Sequence, residues 1–333
     1  MTKKLHLIIG AIFFLILFVF LINFIWTVFI PVKIENSKII DIPSKMSAFD
    51  VAMLLKKESL IKNSKYFQIL AGITGKSRKI YAGKYKFDKN INMFSILRKL
   101  SSGKEKLHTF VIFEGATIRQ IARLLANQGL VNEDRFIQLS KDERICKYYE
   151  IPVNSLEGYL FPDTYSIPSG FTEEEIISIM AIRFGKVVNK DYYRLKANKK
   201  GFSLHQIITI ASIIEKEAKM DEERKIISAV FHNRLNKNKN LESCATVIYA
   251  FSLVGKHKTI LHSRDVLIKS PFNTYYYSGL PPGPICNPGK DSIDAALDPA
   301  NVHYIYFVSK RDGTHYFSEK YAEHKKAVQK WRR

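Results

Sequence analysis

From Leu5 to Val32 the chain carries no Asp, Glu, Lys or Arg, an apolar run of 28 residues whose clearly polar interruptions are His6 and Asn23. A helix of roughly 20 such residues crosses the hydrocarbon core of a bilayer. A cleaved signal peptide would have an apolar stretch of about 7–15 residues followed by small residues at the cut. This run is longer and ends in Phe29-Ile30-Pro31-Val32. The pattern predicts an uncleaved single-pass anchor over 5–32. Lys3 and Lys4 mark the short tail 1–4 as cytoplasmic by the positive-inside rule, leaving the rest of the chain outside.

Beyond the anchor, the apolar positions repeat at an offset of 70 residues. Val51-Ala52, Leu54-Leu55 and Leu60-Ile61 match Ile121-Ala122, Leu124-Leu125 and Leu130-Val131, and Tyr66-Phe67 matches Phe136-Ile137. Ser47 and Thr117 stand as N-caps at equivalent places. Each copy reads as an amphipathic helix, a turn and a second helix. Strands are predicted at 39–42 and 108–113 ahead of the two copies, with a further strand at 82–87, a short helix over 94–100 and a stop at Gly103. From Ser203, with Gln206 three positions on, a capping box opens a helix that is apolar all round until Glu215, as a core helix is. A second helix is predicted from 221 to 236. Strands follow at 304–308 and 314–317 around a turn at Asp312-Gly313, then a last helix capped by Ser318. Helices and strands without regular βαβ alternation predict an α+β chain. Its predicted parts are the anchor, a compact module over 36–105 and a mixed domain over 106–333 that contains the second repeat at about 108–140.

Hydrophobic residues make up 46% and charged residues 25%, a globular composition that excludes a wholly disordered chain. Lys and Arg number 52 against 31 Asp and Glu, leaving +21 and pointing to a polyanionic neighbourhood. With the bulk of the chain outside the cytoplasm, a wall polymer fits that charge better than nucleic acid does. Cys146, Cys244 and Cys286 are too few and too scattered for a disulfide framework, and no two form a C-x-x-C zinc pair. The string LAGITGKS at 70–77 lacks the first glycine of a phosphate loop and sits in a helical context. There is neither an HExxH pair nor a GxSxG element.

Three segments carry candidate chemistry. In LEGYLFPDTY, 156–165, Glu157 stands beside a glycine among Tyr159, Phe161 and Tyr165, with Asp163 close by. Rings beside a carboxyl can stack on pyranose faces. They also lower the local dielectric, which keeps the carboxyl protonated as a general acid. The same residues equally suit a core-facing turn. In IIEKEA, Glu215 and Glu217 are two apart on a helix and point about 200° away from each other, so one of them at most faces a site. They read either as a buried anchor paired with Arg234 or a backbone N–H, or as site carboxylates. The loop from Asn273 and Tyr275 through 279–289 is dense in Pro and Gly, a fixed backbone that either lines a site or makes a crossover.

Taken together, these strings resemble the endolytic murein transglycosylase family (MltG/YceG-like). The match rests on LEGYLFPDTY, IASIIEKEA at 210–218, VFHNRL at 230–235, NTYYYSGLPPGPICNPG at 273–289 and YIYFVSKRDGTHYF at 304–317, in order and with fitting spacing. The resemblance implies LysM-like glycan-binding modules in the N-terminal part. It also implies endolytic cleavage of MurNAc–GlcNAc β-1,4 bonds in nascent peptidoglycan, leaving 1,6-anhydro ends. It places the catalytic glutamate at Glu157, with Tyr159, Phe161, Asp163, Glu215, Glu217, Asn273 and Tyr275 as substrate-side candidates. No cofactor or metal is implied. The setting implied is the cell inner (cytoplasmic) membrane, beside peptidoglycan synthases. One departure stands out: Cys244-Ala245-Thr246-Val247-Ile248-Tyr249-Ala250 replaces an Asp-Pro-Thr-Val-x-Tyr-Gly string, so the Asp is absent. The rival reading is a non-catalytic peptidoglycan-binding scaffold.

Overall fold

The computed structural model describes residues 2–34, 38–43, 46–87, 90–102, 107–168 and 170–331. In chain order the elements are α1 (Thr2–Phe29), β1 (Lys38–Ile42), α2 (Ala48–Lys57), α3 (Ser64–Ile73), β2 (Gly83–Phe87), α4 (Met93–Ser101), β3 (His108–Val111), α5 (Ile118–Asn127), α6 (Glu133–Leu139) and α7 (Glu143–Tyr148). They continue with β4 (Thr164–Ile167), α8 (Glu173–Val187), α9 (Lys190–Lys199), α10 (Leu204–Glu217), α11 (Arg224–Asn236), α12 (Cys244–Leu253), α13 (Lys290–Leu297), β5 (Tyr306–Ser309), β6 (His315–Ser318) and α14 (Tyr321–Trp331). The chain divides into two units, 1–109 with 166–171, and 110–165 with 172–333. The fold is α+β, with strands paired two by two: β1 with β2, β3 with β4 and β5 with β6.

In the first unit β1 and β2 run antiparallel, with Ile40 opposite Tyr85 and Ile42 opposite Gly83. Leu55, Phe67, Phe87, Ile96 and Leu100 form its buried core. Within α1, the stretch Ile9–Phe29 is long and apolar enough to cross a membrane. Its last turns also serve the unit's own core: Val28 is fully buried, Phe24 packs against the cluster, and the Tyr66 hydroxyl donates to Asn23 Oδ1 at 3.0 Å. The two apolar copies have the same local build. Ser47 with Asp50 and Thr117 with Gln120 close capping boxes at α2 and α5. Each helix ends in a left-handed residue, Ser59 at φ 60° and Gly129 at φ 69°. A second helix follows, capped by Asn63 in α3 and Asn132 in α6. In both copies the strand before the helices pairs with one after them.

The second unit is built around α10, whose Ile207, Ile208, Ile210, Ile213 and Ile214 are all buried. It packs on α9, α11, α12 and α13. Ser203 caps it, with Gln206 closing the box. α10 is apolar on nearly every side; its buried Thr209 and Ser212 hydroxyls donate to the helix's own carbonyls, and its two carboxylates, Glu215 and Glu217, stand near its C-terminal end. The predicted helix from 221 begins as a short 3-10 turn, Asp221–Glu223, before α11. Ser318 does not cap the last helix. It ends β6, buried and opposite Tyr306, and α14 starts at Tyr321. Gly103, the expected helix stop, lies outside the described residues.

Because the Ser203 hydroxyl satisfies the Gln206 N–H at the start of α10, Ser203→Ala should lower unfolding stability by about 1 kcal/mol. Thermal or urea unfolding of the full chain in detergent measures this, and an unchanged midpoint would remove the cap from the account.

Candidate active site

Glu157 lies in a tight turn whose next residue, Gly158, adopts φ 90°. Its carboxyl turns inward, and the residue is 5% exposed. The Ile118 N–H donates to both oxygens at 3.0 and 3.3 Å, the Tyr249 hydroxyl donates to Oε2 at 3.2 Å, and Asn287 Nδ2 donates to Oε1 at 3.2 Å. Asn287 does more than this. Its Oδ1 accepts from the Gly158 and Leu160 amides at 3.0 and 2.9 Å, and its Nδ2 also donates to the Ala116 carbonyl at 2.9 Å. One side chain thus ties the turn at 157–160 to the start of α5. Burial pushes the Glu157 carboxyl up to about 8, against the opposing pull of the Ile118 and Tyr249 donors.

Glu215 and Glu217 diverge as their spacing requires. Glu215, with its side chain 7% exposed, accepts from the Gly289 N–H at 3.0 Å and from Arg224 Nη1 at 3.4 Å. It is a buried ion pair, but with Arg224; Arg234 pairs with Glu242 instead. Glu217 is half-buried at the last position of α10. Its Oε1 accepts from the Ser243 hydroxyl at 2.6 Å, just ahead of α12. Burial raises its pKa, while the Ser243 hydroxyl and the Ala245 backbone favour the charged form. Tyr275 flanks this corner, with its hydroxyl 3.2 Å from Cys244 Sγ.

Two clefts share Gln120 and Lys216 in their walls. One, of about 270 Å³, is lined by residues 112–116, by Gln120, Ile121 and Leu124 of α5, and by Lys216. The other, of about 280 Å³, runs between α5 and α12 past Ala245, Ile248, Tyr249 and Ile285. Thr117 and Tyr249 line it, so Glu157 sits under its floor. Among the described residues no group of three or more His, Cys, Asp or Glu side chains converges as a metal site requires.

The YceG-like family model matches residues 40–330. The chain belongs to the YceG-like family. A Bacillus subtilis protein named endolytic murein transglycosylase is 36% identical over 308 residues, covering 88% of this chain and 84% of its own length. A Streptococcus pneumoniae protein of the same name is 30% identical over 90% of this chain, which spans 59% of that longer relative. Among solved structures, a yceG-like protein of Listeria monocytogenes superposes with a TM-score of 0.59 at 33% identity, covering 88% of this chain and 99% of that one.

In this YceG-like chain the other sequence-derived candidates are placed as follows. The Tyr159 hydroxyl is 2.7 Å from His205 Nδ1 and its ring lies parallel to the imidazole, away from the Glu157 carboxyl. Phe161 is buried, and its carbonyl accepts from the Tyr165 hydroxyl at 2.5 Å. Asp163 pairs with Arg183 at 2.6 Å. Asn273 is fully buried and spends its amide on the Val266 and Ile268 carbonyls and the Tyr275 N–H. These four groups hold backbone or neighbours, while Glu217 meets Ser243, and the next residue, Cys244, meets Tyr275. Asn287 and Ser243 were not singled out by sequence reasoning. The Asn-Pro-Gly turn at 287–289 was the signal for the first.

Two outcomes follow for the turn. A Cβ at Gly158 would lie 2.5 Å from Pro284 Cγ at a φ of 90°, so Gly158→Ala should lose at least about 2 kcal/mol of stability in a denaturation experiment. For Glu157, a raised native pKa means stability that is full below the ordinary value of 4.5 and is lost as pH climbs through about 8. The melting temperature of wild type relative to Glu157→Gln should therefore fall steadily across that window. Parallel curves would show that Glu157 titrates normally.

Proposed function

We propose that this protein is a membrane-anchored lytic transglycosylase that cuts MurNAc–GlcNAc β-1,4 bonds within peptidoglycan glycan strands, with Glu217 as the proton-transferring group. The reading rests on one contrast between the two glutamates. Glu157 is 5% exposed with donors on both oxygens, and a glycan strand would have to open the 157–160 turn to bring a glycosidic oxygen to it. Glu217 is half-buried at the end of a rigid core helix. It is biased toward its protonated form by burial, and the Ser243 hydroxyl and the Ala245 backbone hold the carboxyl in place beside the cleft that Ala245 lines.

The chemistry needs one such group. Glu217 gives its proton to the glycosidic oxygen as the bond from that oxygen to C1 of the muramyl sugar breaks. The carboxylate left behind takes the proton of the same sugar's C6 hydroxyl while O6 bonds to C1. The 1,6-anhydro ring closes and Glu217 is reprotonated, with no water consumed. Most glycosidases flank the bond with two carboxylates. An attacking group carried by the substrate replaces the second one, because its effective concentration is already high. The absence of the Asp at position 244 is compatible with this scheme. Glu157, by contrast, serves as the buried post that holds the floor of the neighbouring cleft. The names and coverage of the relatives, the apolar span Ile9–Phe29 and the paired β-α-α units read as LysM-like glycan binders all support the setting: nascent strands at the outer face of the inner membrane.

Digestion of purified sacculi, followed by mass spectrometry for anhydro-ended muropeptides, tests the assignment. Glu217→Gln should lower the rate by about 10²–10⁴-fold, whereas Glu157→Gln should retain cleavage at a temperature where it is folded. Full activity of Glu217→Gln would overturn the assignment. A folded wild type that releases no anhydro products would favour the scaffold reading.

A further inference from the structure

The cleft between α5 and α12 is strongly one-signed. Arg119 and Arg123 from α5, Lys216 from the end of α10, and Lys256, His257 and Lys258 after α12 line it, and no Asp or Glu does. Three of these charges are occupied: Arg123 lies 3.7 Å from Glu133, Lys258 is 2.5 Å from Asp265, and Lys216 Nζ donates to the Gly115 carbonyl. Arg119 and Lys256 have no ion pair among the described residues. Cations without an ion pair in a concave wall concentrate the field and favour an anionic occupant. Between them the wall is apolar, with Ala245, Ile248 and Ile285.

We propose that this cleft binds the carboxylates of the peptide stems carried by the glycan strand. The proposal rests on the transglycosylase reading and names what the enzyme recognises beside the bond it cuts. Position supports it: Ala245 lines the cleft, and its backbone also supports the Glu217 carboxyl. A group bound there is a near neighbour of the scissile site. Size fits too, since an open cleft of about 280 Å³ admits a short peptide segment. The chemistry fits as well. A planar guanidinium and a mobile ammonium suit carboxylates, and the apolar wall between them suits the alkyl side chains of a short peptide.

The test compares kcat/KM of the full-length protein in detergent on three matched glycan preparations: strands with free stem carboxylates, strands whose stem carboxylates are amidated, and strands stripped of stems. Wild type should favour free-carboxylate strands by about tenfold or more over both others, the size expected of a charge-assisted contact. In the Arg119→Ala/Lys256→Ala double variant that preference should collapse to within about twofold. Both residues are exposed, so the variant should melt with the wild type, which circular dichroism checks. Equal wild-type rates on free and amidated stems would overturn the proposal, as would a double variant that keeps the wild-type preference. Failure of wild type to cut any of the three would remove the transglycosylase reading itself and this one with it, a result distinct from equal cleavage of all three.

Discussion

Asn287 carries the constraint on which the second unit depends. Its side chain must meet two amides of the 157–160 turn, the Ala116 carbonyl and the Glu157 carboxyl at once. Its own backbone adds two more bonds, to Ala116 and Gly115. Three segments far apart in sequence are fixed by this one residue at full burial. A buried polar network holds a unique geometry only when every member is satisfied, and here each polar group of the network has a partner. Gly158 completes it, since any side chain there would strike Pro284.

With that post in place, α5 and the 284–289 loop have fixed positions against α10. Gly289 then offers its N–H to Glu215, and Arg224 closes the ion pair. Glu215 is therefore the inward member of the pair at the end of α10, and Glu217 is left on the other side against Ser243. A carboxyl on a rigid helix end, oriented by Ser243 and the Ala245 backbone, needs little reorganisation to transfer a proton. The clefts on either side of α5 meet at Lys216, next to it in sequence.

Much of the fold was readable from the sequence because local signals agreed with one another. The N-caps at Ser47 and Thr117 and the capping box at Ser203 all formed, and the apolar repeat at an offset of 70 residues became two like-built helix pairs. Ser318 misled because a serine before a helical pattern reads as a cap, while pairing with Tyr306 kept it in a strand. The site was less readable. Glu157 among aromatics has the composition of a sugar site, yet the direction of its carboxyl is set by Ile118, Tyr249 and Asn287, from 39 to 130 residues away. Nothing within the LEGYLFPDTY string encodes that. The divergence of Glu215 and Glu217 did follow from helix geometry alone, but which of them faces outward depended on Gly289 and Arg224.

The most direct measurement is a crystal structure of Glu217→Gln with a bound glycan oligosaccharide. The account predicts a glycosidic oxygen within about 3 Å of the residue 217 side chain, with the Glu157 carboxyl still bound to Ile118, Tyr249 and Asn287. A glycosidic oxygen resting on Glu157, with the 157–160 turn opened to admit the strand, would contradict it.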